Sequence, residues 1–464
     1  MKRTCLLLAL LACACDYGVY KPQGMHVGTN GPLTPVPQPV ENPFASDANV
    51  RVLSVPAWES SVAISPVHPN VVLATAMERV GNPVFACRIR RSEDGGATWS
   101  DAGFLPLQLT KNSYTGHGDP VLTFDRTGTA YCAVLLTAPD AGHPLKSGLA
   151  VMKSTDEGKT WVAQTLAERE AVNGRLPIFD DKEWLAVDNS GGPNDGTLYL
   201  AWIRANGYSD STTSEMLLTR SRDGGATWSE PRSFGRVGAA YLAVGPNGEV
   251  YFSHTGGPGY VMERSRDGGA TFEALAPPAR LSLPAGNLPN SRTSTNVLQQ
   301  FAVDLSPTAT RGNLYFVFPG DGATRGAFPA SVQLTRSEDG GKTWSAPVRL
   351  SAPPELKRDA LLPTVAVDSM TGEVIAAWID RRDDANNVRA RLYATRSRDG
   401  GRTWQTAKPF SSPFSIDANF LGHYNGVAIQ NTTRIASFSD AGGNFAAARL
   451  DWPPPASRRR TVRQ

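Results

Sequence analysis

One nine-residue pattern recurs six times along this 464-residue chain: RSEDGGATW (91–99), KSTDEGKTW (153–161), RSRDGGATW (220–228), RSRDGGATF (264–272), RSEDGGKTW (336–344) and RSRDGGRTW (396–404). Each copy follows an apolar or alternating run and precedes another short one, as a hairpin turn between two strands does. The residue types suit that role. Glycine adopts positive φ at no steric cost, and an aspartate carboxylate accepts the N–H groups a tight turn leaves over. The terminal aromatic is placed to fold back over apolar surface. Repetition at this scale dictates an architecture in which one small unit stacks on copies of itself.

A second repeat is steadier. The runs SVAIS, VLTFD, WLAVD, YLAVG, FAVD, TVAVD and GVAIQ end at Ser65, Asp125, Asp188, Gly245, Asp304, Asp368 and Gln430, at intervals of 60, 63, 57, 59, 64 and 62 residues. Each leads through a turn into a second strand such as GTLYLAW (196–202) or GEVIAAW (372–378). One period is therefore strand, turn, strand, loop, strand, repeated turn, strand, which makes one four-stranded propeller blade. The expected fold is all-β, a single β-propeller of seven four-stranded blades, with six as the alternative. The seventh unit stops after three strands at Trp452, before three prolines. NVRVLS (49–54) resembles the fourth-strand segment PVRLS (347–351), so the N-terminal strand is expected to complete the last blade. Closure hides edge strands that would otherwise template aggregation. Length alone suggests roughly three domains; the periods make 49–452 one.

The pattern Ser-x-Asp-x-Gly-x-Thr-Trp/Phe resembles the Asp-box, or BNR, repeat of sialidases and related β-propellers. The aligned residues are Asp94, Asp156, Asp223, Asp267, Asp339 and Asp399, with Trp99, Trp161, Trp228, Phe272, Trp344 and Trp404. The resemblance covers most of the chain and implies a propeller. It implies no particular activity, because non-enzymatic propellers carry the motif too. The six aspartates themselves read as turn locks.

Composition bounds the rest. Hydrophobic residues make up 41% and charged residues 19%, enough to build a core and exclude global disorder. Lys+Arg 46 against Asp+Glu 43 gives a net charge of +3, which supplies no field selecting nucleic acid. The 44 glycines and 35 prolines imply a turn-rich chain. Residues 1–15, MKRTCLLLALLACAC, read as a secretory signal: two basic residues, an apolar run, then small residues. Leu10-Leu11-Ala12-Cys13 resembles the lipobox of bacterial lipoproteins, which implies lipidation at Cys13, with Cys15 the weaker alternative. A Pro-rich stretch at 16–48 suits a semi-rigid tether, and 453–464 is a solvated basic tail. The expected location is the cell envelope, as a lipid-anchored periplasmic or surface protein, with secretion as the alternative. Export would permit a disulfide between Cys87 and Cys132; both also read as small core residues in strand-like runs.

In a propeller of this strand order, the repeated turns and the first-to-second turns share one face. The second-to-third and fourth-to-first loops lie on the other, which in sialidases holds the active site. Three fourth-to-first loops stand out there: KNSYTGHGDP (111–120), RLPIFDDKEW (175–184) and FLGHYNG (420–426). They nominate Asp119, Asp181, Glu183 and Tyr424 for catalysis and His117, Lys182 and His423 for ligand binding. The second-to-third loops add Arg79, Arg204 and Arg381 as binders, near Tyr208, Asp321, Arg325, Asp380, Arg382 and Asp383. Inner strands converge on the axis, so carboxylates at their starts can crowd together and gain raised pKa values suited to acid/base work. Asp181-Lys182 and Asp380-Arg381 also read as plain surface ion pairs. DDKEWLAVD (180–188) resembles a segment recurring in bacterial Asp-box proteins of the sialidase superfamily.

The resemblance to sialidases implies an arginine triad clamping a substrate carboxylate, with a Tyr nucleophile, its Glu partner and an Asp acid/base. The first triad arginine normally sits in an Arg-Ile-Pro motif before the first inner strand. Here that position reads VPAWESSVAIS (55–65), without arginine, and Arg175-Leu176-Pro177 lies before the third blade instead. Arg79, Arg204 and Arg381 follow second strands of different blades. Phosphate-binding loops, zinc-protease, paired-cysteine and nucleophile-elbow motifs are absent from the sequence, so no cofactor or metal is expected. Two functions stand: a monomeric propeller binding a glycan or other extracellular ligand on its loop face, with or without hydrolysing it, or a non-catalytic scaffold docking an extracellular protein.

Overall fold

The computed structural model describes residues 42–452 apart from 82–84, 108–113, 115, 139–145, 171–177, 206–214, 236–237, 257–258, 281–287, 294–297, 321–329 and 419–420. The expected targeting segment 1–15 with Cys13, the tether up to residue 41, the tail 453–464, and Arg175, Tyr208, Asp321 and Arg325 lie outside the described residues.

Seven antiparallel four-stranded sheets form the blades of a propeller, the sixth extended by a short fifth strand at Phe414–Ser415. The inner strands, in blade order, are Ala57–Ile64, Gly116–Phe124, Phe179–Val187, Gly238–Val244, Gln300–Val303, Ala360–Val367 and Gly426–Gln430. Closure is as the sequence predicts. Val50–Ser54 forms the outer strand of blade 7, with Val50 opposite Ala448 and Ser54 opposite Phe445. Upstream of it, Phe44 meets Phe414 and Phe438 edge-on, and Asp47 accepts the Ser412 N–H at 2.6 Å and its hydroxyl at 2.7 Å.

The six repeated turns share one hydrogen-bond scheme. In the first, Ser92 and the Thr98 N–H each donate to Asp94 Oδ1 at 2.8 Å, and the Thr98 hydroxyl donates to Oδ2 at 2.6 Å. The Gly96 N–H donates to Ser92 Oγ at 2.8 Å, with Gly96 at φ 86°. A Cβ there would stand 2.5 Å from Ile435 Cδ1 of blade 7, so only glycine fits. The threonine-to-aspartate bond recurs in the other five turns at 2.5–2.6 Å.

Each turn aromatic packs back onto the preceding blade. Trp99 seals the interface of blades 7 and 1, Trp161 that of 1 and 2, Trp228 of 2 and 3, Phe272 of 3 and 4, Trp344 of 4 and 5, and Trp404 of 5 and 6. Blade 7 has no such turn, and the interface of blades 6 and 7 is filled instead by Phe44, Phe410, Phe414 and Trp452. Six repeats thus suffice for seven blades. Cys87 and Cys132 are both buried free thiols between blades 1 and 2, so of the two readings the core one holds.

Candidate functional site

Among the described residues, five inner strands carry a β-bulge near their start, on the face opposite the repeated turns. Pairing with the second strand shifts between Trp58 and Ser61, Gly118 and Val121, Asp181 and Trp184, Gly238 and Tyr241, and Leu361 and Thr364. A bulge sets two residues against one and re-aims their side chains. In four blades the first extra residue is non-glycine with a left-handed backbone: Glu59 (φ 55°), Asp119 (51°), Lys182 (52°) and Leu362 (54°). Such a conformation costs about 1 kcal/mol or more, so its recurrence marks a built feature.

All four lie six residues before the end of their inner run. Tyr424, Ala239 and Leu298 hold that position in blades 7, 4 and 5. The ring is therefore lopsided. Blades 7, 1, 2 and 3 carry Tyr424, Glu59, Asp119 and Lys182 there, and blades 5 and 6 carry Leu298 and Leu362. Glu183 follows Lys182 within the bulge, and Asp181 and His423 precede their ring residues. Apart from His423, which is partly exposed, these polar side chains are buried.

The charges within the cluster are split. Burial works to raise the Glu59 pKa, but His423, the neighbouring Asp119 carboxyl and the Lys182 charge bring it down to about 2. His423 Nδ1 lies 2.8 Å from Glu59 Oε1, and the His423 N–H donates to the same oxygen at 3.2 Å. Gly422 makes that approach possible: a Cβ there would stand 2.9 Å from the Glu59 nitrogen. Asp119 goes the other way. Burial, then the charges of Glu59, Asp181 and Glu183, push its carboxyl well above the usual range, with Lys182 opposing. A proton on Asp119 leaves a single negative charge on the pair, where two ionised carboxylates would repel each other. Glu183 is likewise pushed up, by burial first and then by Asp181 and Glu59, against an offset from Lys182.

Lys182 Nζ sits 3.5 Å from the Tyr424 ring centroid and 5.3 Å from that of Trp184. The Tyr424 hydroxyl reaches from blade 7 past blade 1 to donate to Pro120 O of blade 2 at 3.4 Å. Burial, followed by the charges of Glu59, Asp119 and Glu183, drives its pKa well up, so it stays a neutral phenol. Several polar atoms here find no hydrogen-bond partner among the described residues: Glu59 Oε2, both oxygens of Asp119 and of Glu183, and Lys182 Nζ. Buried polar atoms of this kind are expected to meet water or a ligand.

The other nominated residues stand apart. His117 is buried, accepts the Cys87 N–H on Nδ1 at 3.3 Å and donates from Nε2 to Pro106 O at 3.0 Å, so both ring nitrogens serve the fold. Burial, partly opposed by Pro106, lowers its pKa to about 4 and keeps it neutral. Arg204 pairs at 2.8 Å with Asp180, which also accepts Trp202 Nε1 at 2.9 Å. Arg381 is buried in blade 6, donating to Pro289 O at 2.8 Å and lying 3.4 Å from Asp359. Arg382 pairs with Asp380 at 2.6 Å, and Arg79 is exposed at the end of the second strand of blade 1. These arginines meet different partners in different blades.

A cavity of about 290 Å³ runs along the axis. Ser60, Trp184, Tyr241, Gln300, Thr364 and Tyr424 line it near the cluster, and Asn189 and Leu305 towards the repeated turns. Cavity and cluster adjoin without coinciding, since Glu59, Asp119, Lys182 and Glu183 are not part of its wall.

No protein-family model matches the chain. A xyloglucanase from Paenibacillus sp. is 31% identical over 169 residues, covering 31% of this chain; the match spans only 14% of that relative's length. Among solved structures, a Hadza microbial sialidase superposes with a TM-score of 0.45 at 16% identity, covering 79% of this chain and 74% of that one. The GH93 α-L-arabinofuranosidase of Fusarium graminearum gives 0.46 at 14% identity, covering 73% and 93%. The α-L-arabinanase of Penicillium chrysogenum gives 0.44 at 16% identity, covering 70% and 90%.

Proposed function

We propose that this chain is an exported, lipid-anchored propeller of the Asp-box type that hydrolyses a glycosidic bond at the axial end opposite its repeated turns. One observation carries the reading: two neighbouring buried carboxyls have unlike surroundings, His423 lying 2.8 Å from Glu59 and drawing its pKa down, while burial and acidic neighbours push that of Asp119 up. That split assigns an acid and a base. Asp119 gives its proton to the leaving-group oxygen as the bond to the anomeric carbon breaks, and Glu59 stabilises the positive charge developing there. Water then adds to that carbon, and its proton returns to the carboxyl pair. Tyr424, a neutral phenol, orients the sugar and does not attack it. Lys182 keeps the excess negative charge in check.

The test is turnover of a panel of chromogenic glycosides, xyloglucan and arabinan by the purified protein, followed by Asp119→Asn and Glu59→Gln. Activity in the parent and its loss in both variants, with sugar binding retained, supports the reading. A second reading is favoured by the complete burial of Asp119 and Glu183: the cluster is then a polar knot joining blades 7, 1, 2 and 3, and the loop face docks another protein. A parent that neither turns over nor binds any glycan selects it. The anchor is tested separately with a clickable fatty acid. Label that disappears in Cys13→Ser supports it, and an unlabelled mature protein removes it.

A further inference from the structure

We propose that the sugar taken by this site is an uncharged, hydroxyl-rich ring, and that sugars bearing a carboxylate are rejected. The proposal rests on the glycosidase reading above and narrows it to a substrate class. Its first support is the set of atoms left open. Glu59 Oε2, Asp119 Oδ1 and Oδ2, and Glu183 Oε1 and Oε2 are five buried carboxyl oxygens without a hydrogen-bond partner among the described residues. Ionised Glu59 asks for donors, while Asp119 and Glu183, each carrying a proton, can donate once and accept on the other oxygen. Lys182 Nζ, also buried and without a hydrogen-bond partner there, asks for an acceptor. Sugar hydroxyls supply both, whereas a carboxylate supplies acceptors alone.

The second support is where the arginines go. A bound carboxylate is held by the paired donors of a guanidinium. Arg204 pairs with Asp180 in blade 3 and Arg382 with Asp380 in blade 6, where Arg381 meets Pro289 O and Asp359 through Nη1 and keeps Nε and Nη2 open among the described residues. Arg79 ends exposed on blade 1. The cluster itself gathers Glu59, Asp119, Asp181 and Glu183 against Lys182 and His423. Lys182 is a single point charge already lying over the Tyr424 ring at 3.5 Å. A further negative charge would meet the ionised Glu59 carboxylate in a buried setting, where like charges repel by several kcal/mol.

The experiment uses one leaving group, 4-methylumbelliferone, on two sets of sugars. The uncharged set is xyloside, arabinofuranoside, glucoside and galactoside; the carboxylate set is glucuronide and sialoside. The expected result is a kcat/KM for the best uncharged glycoside about 100-fold or more above either carboxylate-bearing one. Faster turnover of the glucuronide or sialoside overturns the proposal while leaving the glycosidase reading intact. Turnover of neither set, with no binding of either, overturns both.

Discussion

Acidic residues serve this propeller in two places and in opposite ways. On one face, the turn aspartates are close to solvent and saturated with donors. Their pKa values fall to about 2 for Asp94, Asp156, Asp223, Asp339 and Asp399, and lower still for Asp267. At the other end of the axis, Asp119 and Glu183 are buried, lack hydrogen-bond donors among the described residues and are pushed up. The first arrangement repeats six times because each turn is complete within its own nine residues. The second occurs once, because it needs four different blades. An aspartate with all its partners holds structure; one without them is available for chemistry.

The strongest way to break this contrast is to exchange the outcomes of mutation. Asp119→Asn is expected to cut kcat by about 10²–10⁴-fold with a melting temperature unchanged or raised, since general acid catalysis is worth that much and a buried carboxyl is lost. Steady-state kinetics and calorimetry on the same preparation read both. Equal kinetic damage from Asp156→Ala would dissolve the distinction.

Next in size is the dependence of stability on pH. A carboxyl whose folded pKa is depressed stabilises the fold above its unfolded value, and that contribution is lost as pH falls through the folded value. The turn aspartates should therefore cost stability between about pH 4 and 2. A carboxyl whose folded pKa is raised stabilises below its unfolded value and loses that contribution as pH rises. Asp119→Asn with Glu183→Gln should accordingly gain on the parent progressively above pH 4, measured by denaturant titration at fixed pH. A parallel offset at every pH would refute the assignment. His117, depressed to about 4, favours the fold above its usual 6.5 and withdraws that support as pH drops towards 4. His117→Asn should flatten this part of the curve.

The smallest effect is expected at a single turn. Asp156 accepts from Ser154, Thr160 and the Lys159 N–H. Asp156→Ala should cost about 1 kcal/mol, a melting shift of about 1–2 °C, with kcat unchanged.

These two uses of aspartate also differ in how far they were legible in the sequence. The turns and the seven inner runs were readable because period and partner lie close together along the chain. Asp119, Asp181, Lys182, Glu183, His423 and Tyr424 were readable as residues at inner-strand starts, and the structure gathers them. Glu59 is not among the residues nominated from the sequence, since the sialidase resemblance implies an arginine in VPAWESSVAIS and gives the glutamate no role. Its signal was nevertheless present: Glu59 stands six residues before Ser65, as Asp119 stands six before Asp125. What no local pattern carries is the direction of each pKa. That depends on partners such as His423, which is 364 positions from Glu59 and beside it in space. The same holds for Arg204 and Arg381, whose commitments to Asp180 and Asp359 appear only once the strands pair.

The strand at Val50–Ser54 is synthesised first and paired last. Its partner, Phe445–Arg449, leaves the ribosome nearly 400 residues later, a delay of roughly 20–80 s at about 5–20 residues per second. Throughout that time a short β-edge waits unmatched, and blade 7 has no fourth member. A chain cut short anywhere before this partner is therefore marked at both ends, by an idle strand and an open seam. The completeness of the last blade is thus visible at its edges, and a chaperone or protease that grips exposed edges can act on it without touching the carboxyl cluster.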